Sequence, residues 1–224
     1  MPADWVLGVP EGLSLRETMI IGTAGFTAAL SVVEMERNGL SPSSGPVVVT
    51  GATGGVGSLA VLCLSALGYR GTALTRKDDA HEFLRSLGAA EVLSMSAVDM
   101  GTRPLEKSLW AGAVDPVGGE TLAWITRTMQ HDGCIASSGL TGGIEVHMTV
   151  MPFILRGVKL LGIESSKCSM KLRRHVWQRL ATDMKPSNLE TIAREIGLEE
   201  LHVAFSALLK GSAKGRYIVR VSDS

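Results

Sequence analysis

The stretch Thr50-Gly51-Ala52-Thr53-Gly54-Gly55-Val56-Gly57-Ser58 has the composition of a phosphate cradle. It follows the β-branched run Val47-Val48-Val49 and opens into Leu59, Val61, Leu62, Leu64 and Leu67, so strand, glycine turn and helix come in that order. Glycines permit the tight turn and let backbone N–H groups approach a pyrophosphate, and the helix N-terminus adds about half a positive charge. A second candidate strand, residues 72–75, follows at the spacing of a dinucleotide-binding unit. At its tip stand Thr75, Arg76 and Lys77. An acidic residue there would take the ribose hydroxyls and repel a 2′-phosphate. A planar guanidinium fork and a point charge attract one instead. The reading is NADPH; the alternative is that both cations are merely solvated. Asp78 and Asp79, just beyond, are assigned to capping the next helix, residues 80–87.

Other chemistry is sparse. His81, His131, His147, His175 and His202 are scattered without metal-ligand spacing, so no metal site is expected. His131 is placed at a helix end. Cys63, Cys134 and Cys168 form neither a disulfide framework nor a zinc-type pair, which suits a reducing compartment and points to the cytoplasm. Asp115 is read as a loop anchor at a strand end, in preference to a catalytic role. Thr23 is left open between a nicotinamide contact and a plain turn. Lys171, Arg173, Arg174 and Arg179 give a basic helix face, either solvated or facing a CoA phosphate. Lys+Arg 22 against Asp+Glu 22 leaves no net charge and no basic block, arguing against nucleic acid. The first residues lack a signal-peptide pattern, and no apolar run is expected to cross a bilayer.

The elements that must position the turn alternate along the 224 residues. A capping box at Ser14-Leu15-Arg16-Glu17 starts a short helix, Gly22-Thr23-Ala24-Gly25 interrupts it, and a second helix spans residues 26–37. Strands are expected at 47–50, 72–75, near 92–93, at 110–115, 134–138 and 158–163. The pattern predicts an α/β Rossmann fold, a doubly wound, mostly parallel six-stranded sheet with helices on both faces. Ligands bind beyond the strand C-terminal ends of such sheets, which places Thr53, Gly54, Gly55, Val56, Thr75, Arg76, Lys77, Leu140 and Ser165 on one rim. Ser169 should cap a helix running to Met184, Ser187 with Glu190 a further turn, residues 199–210 should be helical, and residues 217–221 a last strand.

The glycine turn also fits short-chain dehydrogenases, which need a Tyr with Lys four residues later. Ala73 follows Tyr69 and Val221 follows Tyr217 at that spacing, so that class is set aside. Longer stretches resemble the zinc-independent acrylyl-CoA reductase branch of the medium-chain reductase superfamily, the quinone oxidoreductase-like YhdH/AcuI group. They are Pro10-Glu11-Gly12-Leu13-Ser14-Leu15-Arg16-Glu17, Ile21-Gly22-Thr23-Ala24-Gly25-Phe26-Thr27, the glycine turn, Trp110-Ala111-Gly112-Ala113-Val114-Asp115, Met151-Pro152-Phe153-Ile154-Leu155-Arg156-Gly157, Trp177-Gln178-Arg179-Leu180 and Gly215-Arg216. Met95, Pro116 and Ser166-Lys167 depart from the pattern.

The resemblance implies NADPH-dependent reduction of an α,β-unsaturated acyl-CoA. In this reading Thr53, Gly54, Gly55 and Val56 hold the pyrophosphate, Thr75, Arg76 and Lys77 the 2′-phosphate, and Leu140 lies by the nicotinamide, with Ser165 and Lys210 as further cofactor contacts. It implies a homodimer paired through the sixth strand. It also implies a GroES-like catalytic domain of roughly a hundred residues ahead of this chain, holding the catalytic groups. Residues 1–40 would then be linking helices, 41–185 the NADPH-binding domain, and 186–224 a segment returning toward the catalytic domain. The chain alone is expected to bind cofactor with little turnover. The alternatives are a non-catalytic NADPH-binding module or subunit, and a quinone or enone reductase.

Overall fold

Three consecutive apolar, β-branched residues favour a strand buried on both faces. That strand, β1 (Val47–Val49), lies inside a six-stranded sheet in the computed structural model, which describes residues 2–221. The others are β2 (Gly71–Thr75), β3 (Glu91–Ser94), β4 (Trp110–Asp115), β5 (Met129–Ser137) and β6 (Lys159–Gly162). Their order is β3-β2-β1-β4-β5-β6 and every pairing is parallel. The doubly wound Rossmann arrangement is therefore as expected, and the order reverses between β1 and β4, where such sheets open a crevice.

Alternation along β1 divides the core. Val47 and Val49 pack with α1 (Leu15–Arg37), α2 (Gly55–Ala66) and, further out, α6 (Met170–Ala181). Val48 faces Leu74, Trp110, Trp124 and Ile125, the last two carried by α4 (Gly119–Thr128). The sequence expectation that no segment could cross a bilayer fails for α1, which is long and apolar enough by length and composition. Two thirds of its apolar window is nevertheless buried in the protein. Ile20, Ile21, Phe26 and Met35 are all sealed off, and at about 1.5–3 kcal/mol each they hold α1 against α2 and α6.

The Ser14–Glu17 capping box forms, with Ser14 Oγ accepting from Glu17 N at 3.1 Å and Ser14 N donating to Glu17 Oε2 at 2.7 Å. The interruption that follows is narrower than expected. Only Gly22 leaves helical geometry (φ 50°, ψ −157°), and the helix resumes at once. Two other expectations differ, one for a local reason and one for a distant partner. The Asp132-Gly133 turn is absorbed into β5, which starts at Met129; Asp132 takes φ 58° and the register with β4 shifts there. His131 consequently sits within a strand and not at a helix end. The Ser187–Glu190 capping box does not form, because Glu190 instead accepts from Arg16 Nε at 2.8 Å and Nη2 at 2.9 Å.

Short helices α3 (His81–Ser86) and α5 (Met151–Arg156) complete the large sheet's connections. After α6 the chain makes β7 (Ala193–Gly197), α7 (Leu201–Leu209) and β8 (Arg216–Arg220). β7 and β8 pair in parallel as a separate two-stranded sheet, and β7, charged and short, was not legible as a strand. This tail returns to the start of the chain. Arg16 Nη1 lies 2.5 Å from Glu195, and Lys185 donates to the Gly12 carbonyl at 2.5 Å and pairs with Glu17 at 2.9 Å.

Candidate dinucleotide-binding site

Beyond β1 the chain turns on Gly51 (φ 53°), and Gly54 N donates back to Gly51 O at 2.9 Å. Gly54 then caps α2 without a side chain, and Ser58 N makes the first intrahelical bond, to Gly54 O at 2.9 Å. The N–H groups of Gly55, Val56 and Gly57 therefore lie outside the helix's own ladder, at its positive end. A Cβ on Gly57 would lie 2.4 Å from Gly51 O and 2.7 Å from Ala52 Cα, so this position brings helix and strand into contact.

A cation that spacing arguments did not single out completes the turn. Arg216, the first residue of β8, projects between the Gly22 kink and Gly55. Its Nε donates to the Ile20 carbonyl at 3.1 Å, and hypothetical Cβ atoms on Gly22 and Gly55 would lie 2.7 and 3.3 Å from its terminal nitrogens. The guanidinium is half-buried, burial pulls its pKa below the ordinary value, and among the described residues no carboxylate pairs with it. A desolvated, unneutralised guanidinium beside a helix N-terminus is a natural anion partner.

The expected tip at the end of β2 is in place. Thr75 is buried and its Oγ1 accepts from Lys77 N at 3.0 Å. Arg76 is exposed and makes no hydrogen bond or ion pair among the described residues. Lys77 Nζ donates to Ala213 O at 2.5 Å. Asp78 and Asp79 do not cap the next helix, contrary to expectation. Asp78 Oδ1 accepts from Ser94 Oγ at 2.6 Å, Ser94 in turn meets His81 Nε2 at 3.0 Å, and Asp79 pairs with Lys214 at 2.6 Å. Both acids are drawn away by partners distant in sequence. Gly215 N donates to Thr53 O at 2.9 Å, so residues 213–216 strap across turn and tip together.

On the neighbouring strand β4, beside the turn, Asp115 anchors a loop. Its Oδ1 accepts from Thr50 Oγ1 at 2.5 Å and Val117 N at 3.2 Å, and its Oδ2 from Gly118 N at 2.9 Å. Burial pushes its carboxyl above the ordinary range, while these donors pull it back. Loop 116–119 is sewn to loop 139–143 through Gly142 N to Val117 O at 2.7 Å and a Gly118–Gly143 bridge. Leu140 stands exposed on that double loop. The Ser138 hydroxyl, just past β5, is buried and has no hydrogen-bond partner among the described residues, and no sequence signal singled it out. The Ser165 carbonyl accepts from Arg173 at 2.9 Å. Lys210 ends α7 with its side chain exposed, and the strap contacts come from residues 213–216 instead.

The basic face of α6 is divided: Lys171 and Arg174 are exposed, whereas Arg173 and Arg179 are engaged within the protein. Arg173 stacks over Phe26 at 4.7 Å from the ring centre, and Arg179 pairs with Glu36 and Asp183. Thr23 is exposed just past the kink, and its carbonyl accepts from Thr27 Oγ1.

Comparison with known proteins agrees with this geometry. The profile of the zinc-binding dehydrogenase family matches residues 55–184. The chain is 52% identical over 223 residues to the putative quinone oxidoreductase YhfP of Bacillus subtilis, covering 99% of this chain and 68% of that one. It is 45% identical to the probable acrylyl-CoA reductase AcuI of Escherichia coli, covering 98% and 67%. Among solved structures, Bacillus subtilis yhfP with NAD bound superposes with TM-score 0.94 at 51% identity, covering 98% and 68%. The yhdH oxidoreductase of Salmonella enterica in complex with NADP does so with TM-score 0.94 at 44% identity and the same coverage.

Proposed function

The chain belongs to the zinc-binding dehydrogenase family, as a medium-chain oxidoreductase, and we propose that it binds NADPH for reduction of the C=C bond of an α,β-unsaturated acyl-CoA. Zinc itself does not fit: among the described residues no three His, Cys, Asp or Glu side chains gather. NADPH does, and the observation that carries the reading is the cationic tip of β2, where Arg76 is exposed and Lys77 is tied through the strap to the glycine turn and the unneutralised Arg216.

In this reading the N–H groups of Gly55 and Val56, with Thr53, Gly54 and Arg216, hold the pyrophosphate. Thr75, Arg76 and Lys77 hold the 2′-phosphate. Leu140 covers the nicotinamide end, Ser165 stands along the same rim, and Lys210 contributes from the end of α7. Bound NADPH supplies a hydride to the β-carbon of the acceptor, with a proton going to the α-carbon. Such a transfer needs the acceptor within a few Å and water excluded. This chain contributes one wall, on which Leu140 is 63% exposed, and its best-placed acid, Asp115, is committed to the loop. The groups that orient the thioester are assigned to a further domain, and the chain by itself to cofactor binding with little turnover. A quinone or enone is the alternative acceptor, favoured by the name of the 52%-identical relative.

Calorimetric titration of the 224-residue chain should show NADPH binding preferred over NADH. Addition of acryloyl-CoA to chain and NADPH should leave the 340 nm absorbance nearly constant. Absence of dinucleotide binding would overturn the cofactor reading, and brisk acryloyl-CoA-dependent oxidation would overturn the one-wall reading.

We also propose that two copies pair through β6. It is one of the sheet's two edges; Leu160 within it and Ile154 and Leu155 on the preceding α5 are exposed at 37%, 71% and 53%. Equilibrium sedimentation at micromolar protein is expected to give a dimer, and a monomer throughout would refute the pairing.

A further inference from the structure

We propose that Lys214, in the C-terminal strap, is a ligand of the cofactor's 2′-phosphate and that Asp79 holds its place when no cofactor is bound. The inference rests on the NADPH reading and adds a specificity-determining residue to it.

The strap is fixed through its backbone. Gly215 takes φ +64°, and a Cβ there would lie 2.3 Å from the Ile192 carbonyl, so the backbone can pass only as glycine. Its N–H is bonded to Thr53 O, and the preceding Ala213 carbonyl accepts from Lys77 Nζ. With both neighbours pinned, Lys214 is held at the β2 tip and its ammonium reaches Asp79 at 2.6 Å. The charges of Lys214 and Arg76 both bear on Lys77, so the three cations gather at the end of β2, where the NADPH reading puts the 2′-phosphate.

The local charges are unbalanced. Asp78 is engaged by the Ser94 hydroxyl, which also meets His81, so Asp79 is the acid that neutralises the cluster. Burial lowers the Lys77 pKa first and the neighbouring Lys214 charge next; Asp79 raises it in part, and Arg76 lowers it again. A dianionic phosphate relieves that repulsion, whereas Asp79 brings a single charge and is itself 74% exposed on its side chain. Exposed pairs of this kind contribute little and exchange readily, while a phosphate accepts charge-assisted bonds from several donors at once. Asp79 therefore acts in two ways: it parks Lys214 in the free chain, and it opposes phosphate by like charge.

The test compares NADPH with NADH, and 2′,5′-ADP with 5′-AMP, by titration of the full chain. Lys214→Ala should weaken NADPH and 2′,5′-ADP by about tenfold while changing NADH and 5′-AMP less than about twofold. Lys214→Arg should retain the preference, and Asp79→Asn should tighten the phosphorylated ligands severalfold. Both positions are exposed, so circular dichroism should match the parent chain. An unchanged NADPH to NADH ratio in Lys214→Ala overturns the assignment and leaves the NADPH reading standing. Equal affinity of the parent chain for 2′,5′-ADP and 5′-AMP overturns the NADPH reading itself, and this inference with it.

Discussion

Gly57→Ala is expected to abolish measurable dinucleotide binding and to lower the melting temperature. The added methyl would stand 2.4 Å from the Gly51 carbonyl oxygen, 2.7 Å from Ala52 Cα and 2.8 Å from Gly51 C. All three are backbone atoms of the turn, so no side chain can rotate away. Relief requires α2 to lift from β1, which also displaces the N–H groups of Gly55 and Val56. Overpacking of this kind costs about 1–3 kcal/mol or more, which is roughly 3–10 °C for a chain of this size. The neighbouring glycine is the control. A methyl on Gly55 would meet Ala24 Cβ and an Arg216 nitrogen at 3.3 Å, a contact small adjustments relieve. Gly55→Ala should therefore fold with a melting temperature close to the parent and lose affinity only where it crowds Arg216. Thermal melts and NADPH titrations of both variants decide the matter. Parent-like binding by Gly57→Ala would show that helix and strand do not need this approach.

Arg216→Ala should weaken NADPH and NADH alike, by about 10–100-fold, because a charge-assisted contact to the shared pyrophosphate contributes about 1.5–3 kcal/mol. Equal loss for both dinucleotides separates this residue from Lys214, whose effect is confined to the phosphorylated one. The stability effect should be small. Arg216 supplies one bond to the Ile20 carbonyl, at 3.1 Å, but it also keeps a half-buried, unneutralised charge, and removing that burden offsets the lost bond. A melting temperature within about 3 °C of the parent, together with the loss of affinity, is the signature of a residue kept for binding. Arg216→Lys should recover part of the affinity, since charge remains and the planar fork does not. A large drop in stability with unchanged affinity would assign Arg216 to holding the Gly22 kink.

Much of the site was legible because it is local. The β-branched run, the spaced glycines and the apolar helix behind them specify β1, the turn and α2 within the continuous stretch 47–66. Thr75, Arg76 and Lys77 follow from one more strand. Backbone sterics and side-chain periodicity act over such distances without needing the rest of the chain. The same logic misplaced residues whose nearest competitors are distant. Asp78 and Asp79 have the form of helix caps until Ser94 and Lys214 arrive from elsewhere. Glu190 has the form of a capping acid until Arg16, 174 residues earlier, takes it.

The parallel sheet, the glycine turn at its centre and the cationic tip beside it are written in local sequence. Which further charges meet them depends on contacts between distant parts of the chain. Arg216 reaches the Ile20 carbonyl across 196 residues, and Ala213 reaches Lys77 across 136. These contacts exist because the buried faces of α1, α2 and α6 bring the two ends of the chain to one rim. No local pattern encodes a meeting that depends on closing the whole core.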